Sequence, residues 1–280
     1  MLHHFTVDLE EYFQVSALEP YVDRADWDRL PGRVEVGTSR LLALLAAHNT
    51  RATFFCLSWV AGRHPGLIRR IAAAGHEIAS HGTDHRRVTE LTPDEFRESV
   101  RDSKRILEDL AGAPVSGYRA PSFSIVPGRE WALEILVEEG YRYDSSLFPV
   151  RRNGYGYPGA SRVPHVRETR SGAILELPPA TVVRFGRVWP AAGGGYLRLL
   201  PFGLVRAGMR DAETDGRPGM FYIHPWELDP EQPRIAVDLR TRIRHYGGLR
   251  RTEGRVARLL REFRFGRVGE YAVPRVEASR

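Results

Sequence analysis

Short apolar runs alternate with segments of helical spacing along this chain, and that alternation limits the folds open to it more than any other feature. The runs FTVDLE, ATFFCL, HEIAS, GYRAP, YRYDSS, AILEL and MFYIH read as strands. Between them lie TSRLLALLAAH, PGLIRRIAAAG with Pro65 at its start and Gly75 at its stop, and REWALEILVEEG. The segment TPDEFRESVRDSKRILEDLAG predicts a helix with Thr92 as cap, Pro93 at its first position and Glu95 closing a capping box. Phe96, Val100, Leu107 and Leu110 fall on one of its faces. About seven β/α units imply a parallel sheet, open or closed, with chemistry at the carboxyl ends of its strands. At 280 residues and 42% hydrophobic content the chain can bury one large core, so one domain with decorations is expected.

The rest of the composition narrows the class. A formal net charge of +6 suits an anionic partner such as a membrane face, but the arginines are widely scattered, which favours a solvated basic surface. Cys56 excludes an intrachain disulfide framework, fits a reducing compartment and, inside ATFFCL, reads as core packing. No export signal and no membrane-spanning run is recognised, which makes a cytoplasmic location the expectation, with contact at the inner face of a membrane open. The GGG at 193–195 lacks the strand–helix context of a nucleotide loop and reads as a tight or mobile loop beside the cleft; no nucleic-acid partner is expected.

Polar residues then collect at one rim. Asp8 and Glu10 end the first strand, His81 and His85 follow EIAS, Arg119 ends GYR, Asp144 ends YRY and His224 ends MFYI. HGTDH alone is weak. Two imidazoles four apart on a helical turn can share a metal, with a carboxylate as third ligand. Asp8 and Glu10 project to one side of a strand while Leu9 faces away, so one can bind the metal and the other can take a proton from water.

The ordered set TVDLEE, GHEIASHGTDH, GYRAPSFS, YRYDSSLFP and FYIHPWE resembles the blocks of carbohydrate esterase family 4, the metal-dependent polysaccharide deacetylases. DLEEYFQV, AGGGYLRLLP and FYIHPWELDPEQPR resemble its exopolysaccharide-biosynthesis branch associated with exosortase gene systems. The resemblance implies a distorted seven-stranded (β/α) barrel over residues 1–233, with a C-terminal helical extension over 234–280 packed on it. Asp8 falls on the family's base, His81 and His85 on its metal histidines, and Arg119 on the arginine that orients the base. Ser122 falls where a backbone N–H enters the oxyanion hole and His224 on the general acid. Many members have two adjacent aspartates where this chain has Asp8 and Leu9. The metal carboxylate is therefore expected at Glu10, with Glu11 in reserve and the exchange of Asp8 and Glu10 open. Zinc is the expected ion, with cobalt or nickel as substitutes. Pro121, Phe123, Asp144 and Trp226 are expected to line the substrate site. The implied partner is an N-acetylated polysaccharide or a lipid-linked oligosaccharide.

Amide hydrolysis requires activated water, a stabilised oxyanion and a proton for the departing nitrogen, and this set supplies all three. Competing readings are an amidohydrolase for a small cyclic amide or ureide, a silent carbohydrate-binding domain, and an iron oxygenase; an oxygenase needs neither the acid nor the oxyanion hole. Tyr155 and Tyr157 read as rim aromatics. The tail, with Thr252 as cap and Val256, Leu259, Leu260 and Phe263 at helical spacing, is expected to dock on the barrel, with membrane-surface binding the lesser reading.

Overall fold

The computed structural model describes residues 1–151 and 155–272. Its strands are β1 (Leu2–Leu9), β2 (Thr53–Cys56), β3 (Glu77–Ser80), β4 (Gly117–Tyr118), β5 (Tyr143–Asp144), β6 (His165–Thr169), β7 (Gly172–Glu176), β8 (Thr181–Arg184), β9 (Arg187–Pro190), β10 (Met220–Ile223) and β11 (Arg264–Gly266). Its helices are α1 (Val34–Ala47), α2 (Ser58–Arg63), α3 (Pro65–Ala73), α4 (Pro93–Ala111), α5 (Trp131–Glu138), α6 (Gly194–Leu199), α7 (Phe202–Thr214), α8 (Leu239–Tyr246) and α9 (Leu249–Glu262).

The main sheet runs β10-β1-β2-β3-β4-β5-β7-β6, with β11 also on β1. Every pairing in it is parallel except β6 against β7. The seven expected strands are β1, β2, β3, β4, β5, β7 and β10, the consecutive parallel run of that sheet. It curls until Phe55, Tyr143, Leu175, Leu177 and Met220, from opposite ends of the strand order, share one buried cluster. Beyond β7, the Ala180 N–H donates to the Met220 carbonyl at 2.9 Å. The barrel is thus distorted, a half-barrel whose ends are joined through a loop, with helices packed outside.

Period-two alternation sets the two sides of β1. Phe5, Val7 and Leu9 enter the main hydrophobic core, while Thr6 and Asp8 meet Arg119 on the other side. Leu9 is therefore a core residue on the wrong side of the strand for a ligand.

Helix α4 starts as the sequence predicts: Thr92 Oγ1 accepts from the Glu95 N–H at 3.3 Å, and the Glu95 carboxylate accepts from the Thr92 N–H at 2.8 Å. Phe96, Val100 and Leu107 are buried from it, each worth roughly 1.5–3 kcal/mol relative to exposure. The C-terminal segment is part of the same core. Val256, Leu259 and Leu260 of α9 join the main cluster, and β11 pairs with the start of β1. The expected cap at Thr252 is corrected: α9 starts at Leu249 behind Gly248, whose φ of 75° makes the turn, and Thr252 Oγ1 bonds back to the Gly248 carbonyl. Among the described residues no helix is long and apolar enough to cross a membrane.

Candidate active site

β1 delivers Asp8 to the barrel interior, and Glu10 follows just beyond its end. Glu10, His81 and His85, all buried, each offer one ligand atom, and these atoms lie within 4.8 Å of one another. His81 follows β3, and its Nδ1 lies 2.7 Å from the Arg119 carbonyl. A carbonyl only accepts, so Nδ1 carries the proton and Nε2 keeps the lone pair that a metal needs. The two histidines are not on a helical turn, as the spacing suggested. Residues 81–87 are non-helical, and His85 returns to the site because it adopts a left-handed φ of 59° after Gly82 at 79°.

His85 Nε2 approaches Glu10 Oε2 at 2.9 Å, close but not aligned as a hydrogen bond, since Glu10 Oε2 and His85 Nδ1 are buried without hydrogen-bond partners. Unsatisfied buried polar atoms cost about 1–3 kcal/mol each, so the cluster fits a cation. Burial raises the Glu10 pKa, but His85, His224 and His81 outweigh it and hold the carboxyl at about 2. Burial depresses His81 to about 4. Glu10 and His81 are therefore in their ligand forms, carboxylate and neutral imidazole, at neutral pH.

Asp8 is held differently. Arg119 Nη1 donates to Asp8 Oδ1 at 2.6 Å and to Thr6 Oγ1 at 2.9 Å. Its Nη2 donates to Ser145 Oγ at 2.9 Å, and the guanidinium lies 4.1 Å from the Phe55 ring centroid. Arg119 has no solvent exposure; this packing leaves it one orientation.

His224 Nε2 lies 3.8 Å from Asp8 Oδ2 and 3.6 Å from Glu10 Oε1. Its Nδ1 is 3.0 Å from Glu227 Oε2, whose other oxygen accepts from Arg198 Nε at 2.7 Å. Burial alone would lower the pKa of His224, but Glu10, Glu227 and Asp8 raise it to about 9. Burial raises Glu227, yet Arg198 and His224 bring it to about 2. The GGG segment serves this pair and is a helix start, not the loop expected: Gly193, with φ of 106°, caps α6, and a Cβ on Gly194, the first residue of α6, would fall 1.8 Å from Glu227 Oε2.

Ser122 follows Pro121, and Ser122 and Phe123 have φ of 55° and 52°. Consecutive left-handed non-glycine residues cost about 1–3 kcal/mol each and cluster at functional sites. Ser122 Oγ lies 2.5 Å from Ser16 Oγ.

The residues expected to line a substrate surface are placed otherwise. Asp144 is fully buried on the side of β5 away from the cleft, facing Glu176 across the β5–β7 register. Burial pushes both carboxyls up, and Asp144 pushes Glu176 further. Its role is internal: Ser146 Oγ donates to Asp144 and accepts from the Ala120 N–H, which anchors the turn after Arg119. Trp226 is buried and donates its indole N–H to Glu10 Oε1 at 3.3 Å. Phe123 packs on Phe148 and Tyr222, and Pro121 is buried beside it. Tyr157 donates to Glu130 at 2.6 Å, while Tyr155 packs against the Phe123 cluster. Glu11, the reserve ligand, instead accepts the Arg33 and Val34 backbone N–H groups at the start of α1.

Glu227, Ser145 and Arg198 went unread in the sequence. Glu227 had a signal, three residues after His224 at the start of a Pro-led turn. Ser145 shares strand parity with Tyr143, but nothing local pairs either with Arg119.

Residues 26–142 match the polysaccharide deacetylase family. Residues 145–273 match DUF3473, a domain of unknown function. The two matches adjoin, and each covers under half of the chain. The first match starts after Asp8 and Glu10 and the second holds His224, so the candidate site draws on residues outside the deacetylase match.

Among curated proteins, a peptidoglycan-N-acetylglucosamine deacetylase from Bacillus cereus is 35% identical over 98 residues, 35% of this chain and 36% of the relative. A peptidoglycan deacetylase from Helicobacter pylori is 31% identical over 115 residues, 40% and 38% of the two chains. The chain thus spans under two fifths of the length of these relatives. Among solved structures, one assigned as a polysaccharide deacetylase from Mycobacterium smegmatis aligns with TM-score 0.66 at 23% identity, covering 99% of this chain and 91% of that one. Puue allantoinase aligns with TM-score 0.61 at 20% identity, covering 97% and 88%. These likenesses establish the barrel fold.

Proposed function

We propose that this protein is a metal-dependent hydrolase that removes N-acetyl groups from an amino-sugar polysaccharide or its lipid-linked precursor, in the exosortase-associated exopolysaccharide branch. The observation that carries this reading is the meeting of three units at one rim: the Glu10/His81/His85 cluster, the Arg119-held Asp8, and His224 within 4 Å of both carboxylates. The deacetylase match supports the family and the DUF3473 match the exopolysaccharide side of it; the exosortase association rests on the resemblance of DLEEYFQV, AGGGYLRLLP and FYIHPWELDPEQPR.

Glu10, His81 and His85 would hold the ion, with zinc suited to two imidazoles and one carboxylate. When bound, it supplies Lewis acidity and lowers the pKa of water. Asp8, fixed by Arg119, accepts the proton of the attacking water. The Ser122 turn supplies a backbone N–H to the developing oxyanion. His224 donates a proton to the departing nitrogen, while Glu227 on Nδ1 directs that proton to Nε2. The products are acetate and a free amine.

Because an allantoinase shares the barrel, the fold does not separate this reading from hydrolysis of a cyclic ureide; the deacetylase match favours the acetylated glycan. A silent binding domain would have no use for the Glu10 cluster. Acetate release is to be measured on a panel of N-acetylated glycans with metal-stripped and zinc-restored protein. Zinc-dependent acetate from a glycan is expected. Ring opening of cyclic ureides without acetate from any glycan would overturn the reading.

A further inference from the structure

Strands β8 and β9 form a hairpin outside the main sheet, packed beside α7 through Arg184 and Asp211 at 3.5 Å. Phe185 at its tip is 98% exposed. Val183, Val188 and Trp189 are each about two fifths exposed, so large apolar side chains crowd into residues 183–189. The turn itself disfavours phenylalanine. Phe185 and Gly186 have φ of 53° and 68°, the pattern of a two-residue turn that prefers Asn, Asp or Gly at both positions, and a bulky residue there is an outlier. On either side, Arg184 and Arg187 are directly opposed across the ladder, a like-charge pair that destabilises a hairpin and that Asp211, 3.5 Å from Arg184, offsets on one side. Three unfavourable choices coincide at one tip: a strained aromatic, its full exposure and an opposed pair of cations.

An anionic bilayer surface relieves two of them together. Phosphate headgroups neutralise the arginines, and the aromatic and valine side chains enter the interfacial layer, where aromatic residues are favoured. A second copy of the hairpin fits less well, because edge-to-edge pairing would gather more guanidinium groups at one place. We propose that the β8–β9 hairpin is a peripheral membrane contact that inserts Phe185 between anionic headgroups engaged by Arg184 and Arg187. This is independent of the reaction assigned to the cleft.

The full chain is to be sedimented with vesicles of phosphatidylcholine alone and with vesicles containing phosphatidylglycerol. Binding to the anionic vesicles, weakened by salt, is expected. R184Q/R187Q should weaken it roughly 30-fold, at about 1 kcal/mol for each charge, and Phe185→Ser should weaken it without changing the salt dependence. All five positions tested in this way or as controls are at the surface, and circular dichroism verifies folding. Leu239→Ser with Ile243→Ser, on the exposed face of α8, should bind as wild type. Equal sedimentation with both vesicle types, loss in the α8 variant but not in the hairpin variants, or hairpin-dependent self-association or retention on a soluble acidic polysaccharide with no vesicle binding would each overturn the proposal.

Discussion

Trp226 lies flat against His245, ring centroids 4.3 Å apart and 18° from parallel, and from that position donates its indole N–H to Glu10 Oε1 at 3.3 Å. His245 is in turn 3.0 Å from Gln232 Oε1, and Gln232 donates to the Trp226 carbonyl. The indole is therefore locked, and it orients a carboxylate of the candidate metal cluster from behind. Outer-shell partners of this kind affect metal affinity by about 10–100-fold. Trp226→Phe keeps the stack and removes the donor. Zinc titration should show affinity lower by about 10-fold with an unchanged circular dichroism spectrum; unaltered affinity would assign Trp226 to packing alone.

His81→Ala and Glu10→Ala should each lose stoichiometric zinc while remaining folded, as measured by metal analysis after gel filtration. Full occupancy in both variants would move the ion elsewhere.

Asp8→Asn retains the shape of the side chain and an oxygen for Arg119, so it should keep its metal and lose turnover. If metal is lost instead, Asp8 is a ligand and Glu10 becomes the candidate base. Arg119→Lys should also lower turnover, since one ammonium cannot satisfy Asp8, Thr6 and Ser145 from the guanidinium's positions.

His224→Ala should keep its metal and lose roughly 10²–10⁴ in turnover on an acetamide, the usual range for general acid catalysis. The loss on an aryl acetate should be much smaller, because phenolate leaves unaided. Equal losses on both substrates would mean that His224 positions the substrate and does not protonate it.

His76 supplies an acid-sensitive element remote from the chemistry. Its Nδ1 accepts the Ala52 N–H at 3.1 Å, and burial, followed by Arg267 and Arg51, lowers its pKa to about 4 from 6.5. The unfolded chain therefore takes up this proton first. The contribution of His76 is complete above pH 6.5 and is lost as pH falls through about 4, a loss on the order of 3 kcal/mol. His76→Asn keeps an acceptor for Ala52 and removes the titration, so its urea stability should decline less than wild type between those two pH values. Parallel declines would exclude His76 as a source of acid lability.

The sequence by itself determined what period and spacing encode. Alternation along β1 put Asp8 and Glu10 on one side and Leu9 on the other, the cap of α4 was legible in Thr92 and Glu95, and seven apolar runs became the seven consecutive parallel strands. Only the tertiary structure decided where the rim's side chains point. Trp226 turned inward to Glu10, Asp144 to Glu176 and Glu11 to the start of α1, because each contact joins segments far apart in the chain and depends on how the sheet curls. The hairpin at 181–190 was unread for a related reason: its tip residues contradict the turn they form, so local preference pointed away from it. Strand and helix follow from the order of side chains along a backbone, whereas a buried hydrogen bond between distant residues follows from closure of the fold, which no local pattern contains.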